Sequence, residues 1–168
     1  MARRMIHMPA DTDLNHLFVV WTQAERLLFE HGLKDKGWKT VFDNSKSRGG
    51  QCRYAQKEIG ISAHLFAVWN YEQCIQIVLH EIAHALCPGH MHDKVWKAKA
   101  KAIGYTGSRC WGSNGEARIQ GRWIGRCPNG HEVHRQRKSK AMERRYSCAT
   151  CAGSVFDARY LIVWEENV

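Results

Sequence analysis

Residues 80–96, HEIAHALCPGHMHDKVW, place two histidines and a glutamate at a spacing that can do hydrolytic chemistry. Side chains four apart stack on one face of an α-helix, so His80 and His84 can aim imidazole nitrogens at a single metal ion. Glu81 falls on the adjoining ridge. Neutral imidazoles with one coordination position left open suit a zinc ion, and a neighbouring carboxylate can take the proton of a metal-bound water. Lone histidines at a core edge usually just hydrogen-bond; here the helical context argues for more. Ile75, Val78, Leu79, Ile82 and Leu86 recur at helical intervals, which predicts a buried stripe on a helix from about Tyr71 to Leu86, with both histidines outside it.

A catalytic zinc takes three protein ligands, and two histidines compete for the third place. His90 stands where the metzincin pattern HExxHxxGxxH has its third histidine, but Cys87 occupies the position that needs glycine, and Gly89 comes two residues late. His92 opens the run DKVWKAKAKAIG after a turn marked by Pro88 and Gly89, so it is expected at a helix start, a firmer mount than a loop. A glutamate ligand from a later helix has no good candidate, because Glu116 lies in a Gly-rich stretch without helical pattern. His92 is favoured over His90.

The elements that must position these groups can be read on either side. Leu14, Leu17, Phe18, Trp21, Ala24, Leu27 and Leu28 predict a helix from Asp13 to about His31, with Gly32 at its end. Three β-prone runs follow at 38–42, 51–55 and 58–62, and Gly49 with Gly50 is expected to make the first turn of an antiparallel meander. With a further helix from His92 to about Ile103, the expected class is α+β, a minimal zincin-like arrangement of helices packed on a small antiparallel sheet. Trp69 and Tyr71 are candidates to line a substrate pocket, although burial is the commoner fate of such residues. Gly104, Gly107, Gly112, Gly115 and Gly121 then mark a junction, which gives expected domains at 10–108 and 119–168.

Beyond the junction, Cys127 and His131 in CPNGH and Cys148 and Cys151 in CATC form two ligand pairs separated by a basic span. Four such ligands close a tetrahedral zinc shell and leave no room for reactive water, so this second site reads as structural, a zinc ribbon. For about fifty residues with little core, the metal would supply much of the folding free energy. His134 competes with His131, and the shorter knuckle favours His131. A redox role for Cys148 and Cys151 lacks the surrounding βαβ pattern. Cys52, Cys74, Cys87 and Cys110 read as small buried residues or free thiols.

The chain has 168 residues, a formal net charge of +9 and seven cysteines. No apolar run is long enough for a signal peptide or a membrane span, so a cytoplasmic protein with reduced, metal-binding thiols is expected. The positive charge crowds the last third, in Arg109, Arg118, Arg122, Arg126, Arg135, Arg137, Lys138, Lys140, Arg144 and Arg145. Of these, Arg122, Arg135, Arg137, Lys138, Lys140, Arg144 and Arg145, with Trp123 and Tyr146, offer phosphate contacts and stacking faces, so DNA is the expected partner.

HEIAHAL followed by GHMHDKVW resembles the SprT-like metallopeptidase domain, whose members include Spartan proteases that act on proteins crosslinked to DNA. In that family the third histidine comes four residues before an aromatic, as His92 does before Trp96. The resemblance extends upstream through GWKTVFDNSKSRGGQCRYAQKEIGIS and downstream to the C-terminal cysteines; Asp93 departs from the glycine many members carry. It implies a zinc endopeptidase in which His80, His84 and His92 hold catalytic zinc and Glu81 is the general base. It also implies that one of the three strands pairs with extended substrate, without saying which. A monomer acting on DNA-associated proteins is expected, with one catalytic and one structural zinc. The alternative is a DNA-binding zinc-ribbon adapter whose zincin domain is vestigial.

Overall fold

Asp13 starts the first helix by accepting hydrogen bonds from the backbone of Asn15 and His16 at 2.9 and 3.1 Å, satisfying donors that a helix start leaves open. This helix, α1 (Leu14–Glu30), buries Leu17, Val20, Ala24, Leu27 and Leu28, the stripe expected from their spacing. In the computed structural model, residues 5, 6, 8, 12–107 and 119–167 are described, and the chain divides into two units, Met1–Arg118 and Ile119–Val168. Both mix helix with a small sheet, so the class is α+β. Among the described residues, no helix is long and apolar enough to cross a membrane.

In the first unit, β1 (Lys39–Asp43), β2 (Gly50–Arg53) and β3 (Glu58–Ser62) form a sheet of order β1-β3-β2. β2 pairs with β3 antiparallel, but β1 pairs with β3 parallel. The sheet is therefore mixed, which corrects the antiparallel meander. The reason lies in β3: Ile59, Gly60, Ile61 and Ser62 are buried in succession, a pattern that belongs to a strand covered on both faces. Placing β3 centrally sends β1 and β2 to opposite edges. The crossing loop is held by Asp43, which accepts from Ser45 N at 3.0 Å, and by Ser62, whose hydroxyl donates to Ser45 O at 2.6 Å. Gly49 and Gly50 do not form the turn; Gly50 is the first residue of β2.

After α2 (Ala63–Phe66) comes α3 (Tyr71–Leu86), begun by a reciprocal capping box in which Asn70 Oδ1 accepts from Gln73 N at 2.9 Å and Gln73 Oε1 accepts from Asn70 N at 3.0 Å. Such a cap contributes about 1 kcal/mol. α3 is the central helix, buried at residues 74–79 and again at 81–85. α4 (Lys94–Ala102) lies against it through Trp96 and Ala100.

The second unit holds β4 (Trp123–Arg126), β5 (Glu132–Arg135) and β6 (Val163–Glu166) in an antiparallel sheet of order β5-β4-β6. Two single-turn helices, α5 (Lys140–Glu143) and α6 (Ala149–Ala152), and a short 3-10 turn at Ala158–Tyr160 complete it. Its core is Cys127, Cys148 and Ile162, with Val133, Cys151, Tyr160 and Trp164 packed against them. Arg109, Cys110, Gly112, Gly115, Glu116 and Arg118 lie outside the described residues.

Candidate metal centres

His80 and His84 sit one turn apart on α3, and the chain returns His92 to meet them. His92 Nε2 lies 3.0 Å from His80 Nε2 and 3.1 Å from His84 Nε2. A zinc ion about 2.0–2.1 Å from each of three nitrogens needs nearly this spacing. Burial, then the charges of His84 and His92, push the His80 imidazole down to about 3. Burial and His92 also lower His84, against a hydrogen bond with the His90 backbone. Neutral imidazoles keep a lone pair for a metal. The His80, His84 and His92 donor set therefore fits zinc, and the structure brings together the three histidines singled out from sequence.

His92 is not on the helix as expected. It lies before the N-cap, with a φ of 55° that non-glycine residues rarely adopt. Asp93 is the N-cap of α4 and accepts from Trp96 N at 3.0 Å. The other Asp93 oxygen lies 2.7 Å from His90 Nδ1. His90 thus braces the ligand turn and stands outside the triad. Replacing His92 with alanine is expected to weaken zinc binding more than a hundredfold, beyond the ten- to hundredfold typical of groups that only orient ligands. His90→Ala, which removes only a brace on the turn, should cost no more than that ten- to hundredfold range. Competition with a fluorescent chelator measures both, and equal losses would reject His92 as the ligand.

Trp96, 3% exposed, forms the floor, its ring centred 4.7, 5.1 and 4.5 Å from those of His80, His84 and His92. Tyr105 packs on both His80 and Trp96. The loop carrying Tyr105 is tied to α3 by Gln76, whose Oε1 accepts from Thr106 N at 2.8 Å and whose Nε2 donates to Gly104 O at 3.3 Å. At the other end of the site, Tyr54 donates its hydroxyl to His84 O at 2.8 Å, pinning the β2–β3 hairpin to the end of α3. Gln76, Tyr54 and Tyr105 were not singled out from sequence. Their partners are 30, 30 and 25 residues away, so no local pattern marks them.

Glu81 is 8% exposed and lies against β2, where its carboxylate is hydrogen-bonded to the backbone of Cys52. Burial pushes its pKa up to about 7, opposed by that hydrogen bond and by the charges of Arg48 and Arg53. Trp69 is buried beside Phe66. Tyr71 begins α3, about 20 Å of helix from His84 at 1.5 Å per residue, so it does not line the site.

In the second unit, Cys127, His131, Cys148 and Cys151 bring their ligand atoms within 4.8 Å of one another. His131 Nδ1 lies 3.6 Å from Cys127 Sγ and 3.2 Å from Cys151 Sγ. The first knuckle closes through Gly130 N to Cys127 O at 2.9 Å, with Gly130 at a φ of 78° that its missing Cβ permits. The second closes through Cys151 N to Cys148 O at 3.2 Å. Burial raises the Cys148 thiol, but hydrogen bonds from the backbone of Cys151 and Thr150 outweigh it and lower its pKa, which favours a thiolate ligand. His134 is engaged elsewhere: its Nδ1 accepts from Gly121 N at 3.3 Å and its Nε2 meets Glu132.

The cationic residues divide. Arg122 pairs with Glu166, Arg126 with Glu132 and Glu165, and Arg135 donates to His134 O. Lys138 sits over the Trp123 ring at 5.6 Å. Among the described residues, Arg137, Lys138, Lys140, Arg144 and Arg145 form no ion pair.

A family model described as the SprT-like family matches residues 19–118, more than half of the 168-residue chain. No curated protein and no solved structure gave a match.

Proposed function

The chain belongs to the SprT-like family, and on that premise we propose that it is a zinc-dependent endopeptidase acting on proteins associated with or crosslinked to DNA. The observation that carries this reading is the convergence of three imidazole nitrogens beside a buried glutamate. Zinc held by His80, His84 and His92 would supply a Lewis acid for the scissile carbonyl and an acidified water. Glu81 takes the proton of the attacking water on a carboxylate oxygen and gives it to the leaving amine nitrogen, as a general base and then acid. Its burial supports this role, because a carboxylate whose pKa is raised toward neutrality takes a proton from water more readily than an exposed one.

β2 is the edge strand next to α3, whereas β1, the other edge, lies by α1. We assign β2 as the strand that pairs with extended substrate. Main-chain pairing of this kind holds many sequences alike, so broad specificity follows. Zinc bound by Cys127, His131, Cys148 and Cys151 would be structural, since four protein ligands fill its shell. Arg137, Lys140, Arg144 and Arg145, which form no ion pair among the described residues, and Lys138 over the Trp123 ring are the cations best suited to DNA phosphates, with Tyr146 as a stacking face.

The test combines zinc content with cleavage of a protein crosslinked to a single-stranded oligonucleotide, set beside the same protein without DNA. Two zinc ions per chain are expected, with metal-dependent cleavage that is faster on the DNA-linked form. Tight DNA binding without any metal-dependent cleavage would instead establish the adapter reading.

A further inference from the structure

Gly50 is in extended strand, with no positive φ to explain it. Space explains it. A Cβ built there would lie 2.6 Å from Glu81 Cγ and 2.9 Å from Glu81 Oε1, with Ile77 Cγ2 at 2.8 Å. Real Cβ atoms do not approach so closely, so one side must move. β2 cannot move easily, because Gly50 is in register with Ile61 of the central strand and Gly49 O accepts from Ser62 N at 2.8 Å. α3 cannot either, since Val78 and Ile82 are fully buried in the core. What can yield is the Glu81 side chain.

The ladder shows what holds that side chain. The bond from Ser62 N to Gly49 O makes Gly49 and Ser62 a hydrogen-bonded antiparallel pair, and such pairs alternate along the strands. Gln51–Gly60 and Arg53–Glu58 are then the next bonded pairs, while Gly50 and Cys52 turn their N–H and C=O groups toward the open edge. The outward N–H of Cys52 is the group that meets the Glu81 carboxylate. We propose that Gly50 is a positioning residue: its bare Cα admits the Glu81 side chain against β2, where the Cys52 N–H fixes the carboxylate.

This deepens the peptidase reading of the same site and rests on it. It also divides the edge. Cys52 N–H serves the general base, which leaves the Gly50 N–H and C=O and the Cys52 C=O to bind substrate main chain. Gly50 thus stands where base and substrate are brought together.

The experiment uses the full-length, zinc-loaded chain as Gly50→Ala, beside wild type and Glu81→Ala. Labelled casein is the substrate, with and without single-stranded DNA. Gly50→Ala is expected to keep wild-type zinc content and its KM within about threefold, while kcat falls about a hundredfold, the cost of misplacing a reacting group by about 1 Å. A merely destabilised protein would instead lose zinc and fold with kcat per folded molecule unchanged. The proton shift of the Cys52 amide gives a readout that needs no turnover. A carboxylate acceptor should hold it downfield in wild type, and both Gly50→Ala and Glu81→Ala should release it upfield. Gly50→Ala with wild-type kcat, or with the Cys52 amide unmoved, overturns the inference. If wild type cleaves nothing yet the amide shifts follow this pattern, the peptidase reading fails and the seat for Glu81 stands.

Discussion

Glu81→Gln is expected to leave both zinc ions in place and to lower cleavage by about a hundredfold to ten-thousandfold, the usual worth of a positioned acid–base group. Glutamine keeps the size of the side chain and an oxygen to accept from the Cys52 backbone, so packing around α3 is preserved. What disappears is the ability to take a proton from water. Removing a charge that burial already disfavours should leave stability equal to or above wild type, since an ionised carboxylate in a buried site costs free energy. The checks are kcat by single-turnover cleavage, zinc by elemental analysis and stability by urea unfolding. Cleavage at the wild-type rate would remove Glu81 from the mechanism.

Cys148→Ser is expected to unfold residues 119–168 while the first unit stays folded. The second unit has a small core in which Cys127 and Cys148, themselves ligand candidates, pack with Ile162. Without metal, those sulfurs are left with little to pack on. Structural zinc sites contribute apparent binding free energies of about 10–16 kcal/mol in small domains, more than the whole stability of most small folds. Zinc content should fall from two to one per chain, and amide signals of β4, β5 and β6 should collapse to unstructured positions, while those of α1 and α3 remain. A variant that keeps two zinc ions and a protected second unit would show that the cluster does not hold the metal. The two units lie on opposite sides of the division at residue 118, which is why separate responses are expected.

The parts of this protein legible in sequence are those written in local pattern. The limits of α3 follow from its apolar period, and those of β3 from the β-prone run at 58–62. His80, His84 and His92 could be grouped because helix geometry and a single turn relate them. Sheet order was not legible. β1 could lie beside β2 or beyond β3, and the choice is made by burial of β3 on both faces, a tertiary property. The backbone of His92 was missed because a left-handed histidine leaves no mark in composition. Gly50 was read as a turn residue, since glycine's freedom and glycine's smallness look identical until the neighbouring helix is in place. The charge of Arg122 looked available to a partner until the sheet set Glu166 beside it.

The seat made by β2 has a consequence for how this protein keeps company with copies of itself. An open strand edge is a template on which other chains can grow, and proteins that keep one risk association. β2 is only four residues long, and alternation leaves two of them facing outward. Of their two outward N–H groups, the one on Cys52 is already satisfied by Glu81. A neighbouring copy adding a strand there would find a broken row of donors, ended by Arg53 and its ion pairs to Asp43 and Glu58. A flexible peptide can be held for one turnover on so short an edge, whereas a sheet cannot propagate from it. The proposed seat for Glu81 would therefore also leave β2 too brief an edge to seed aggregation.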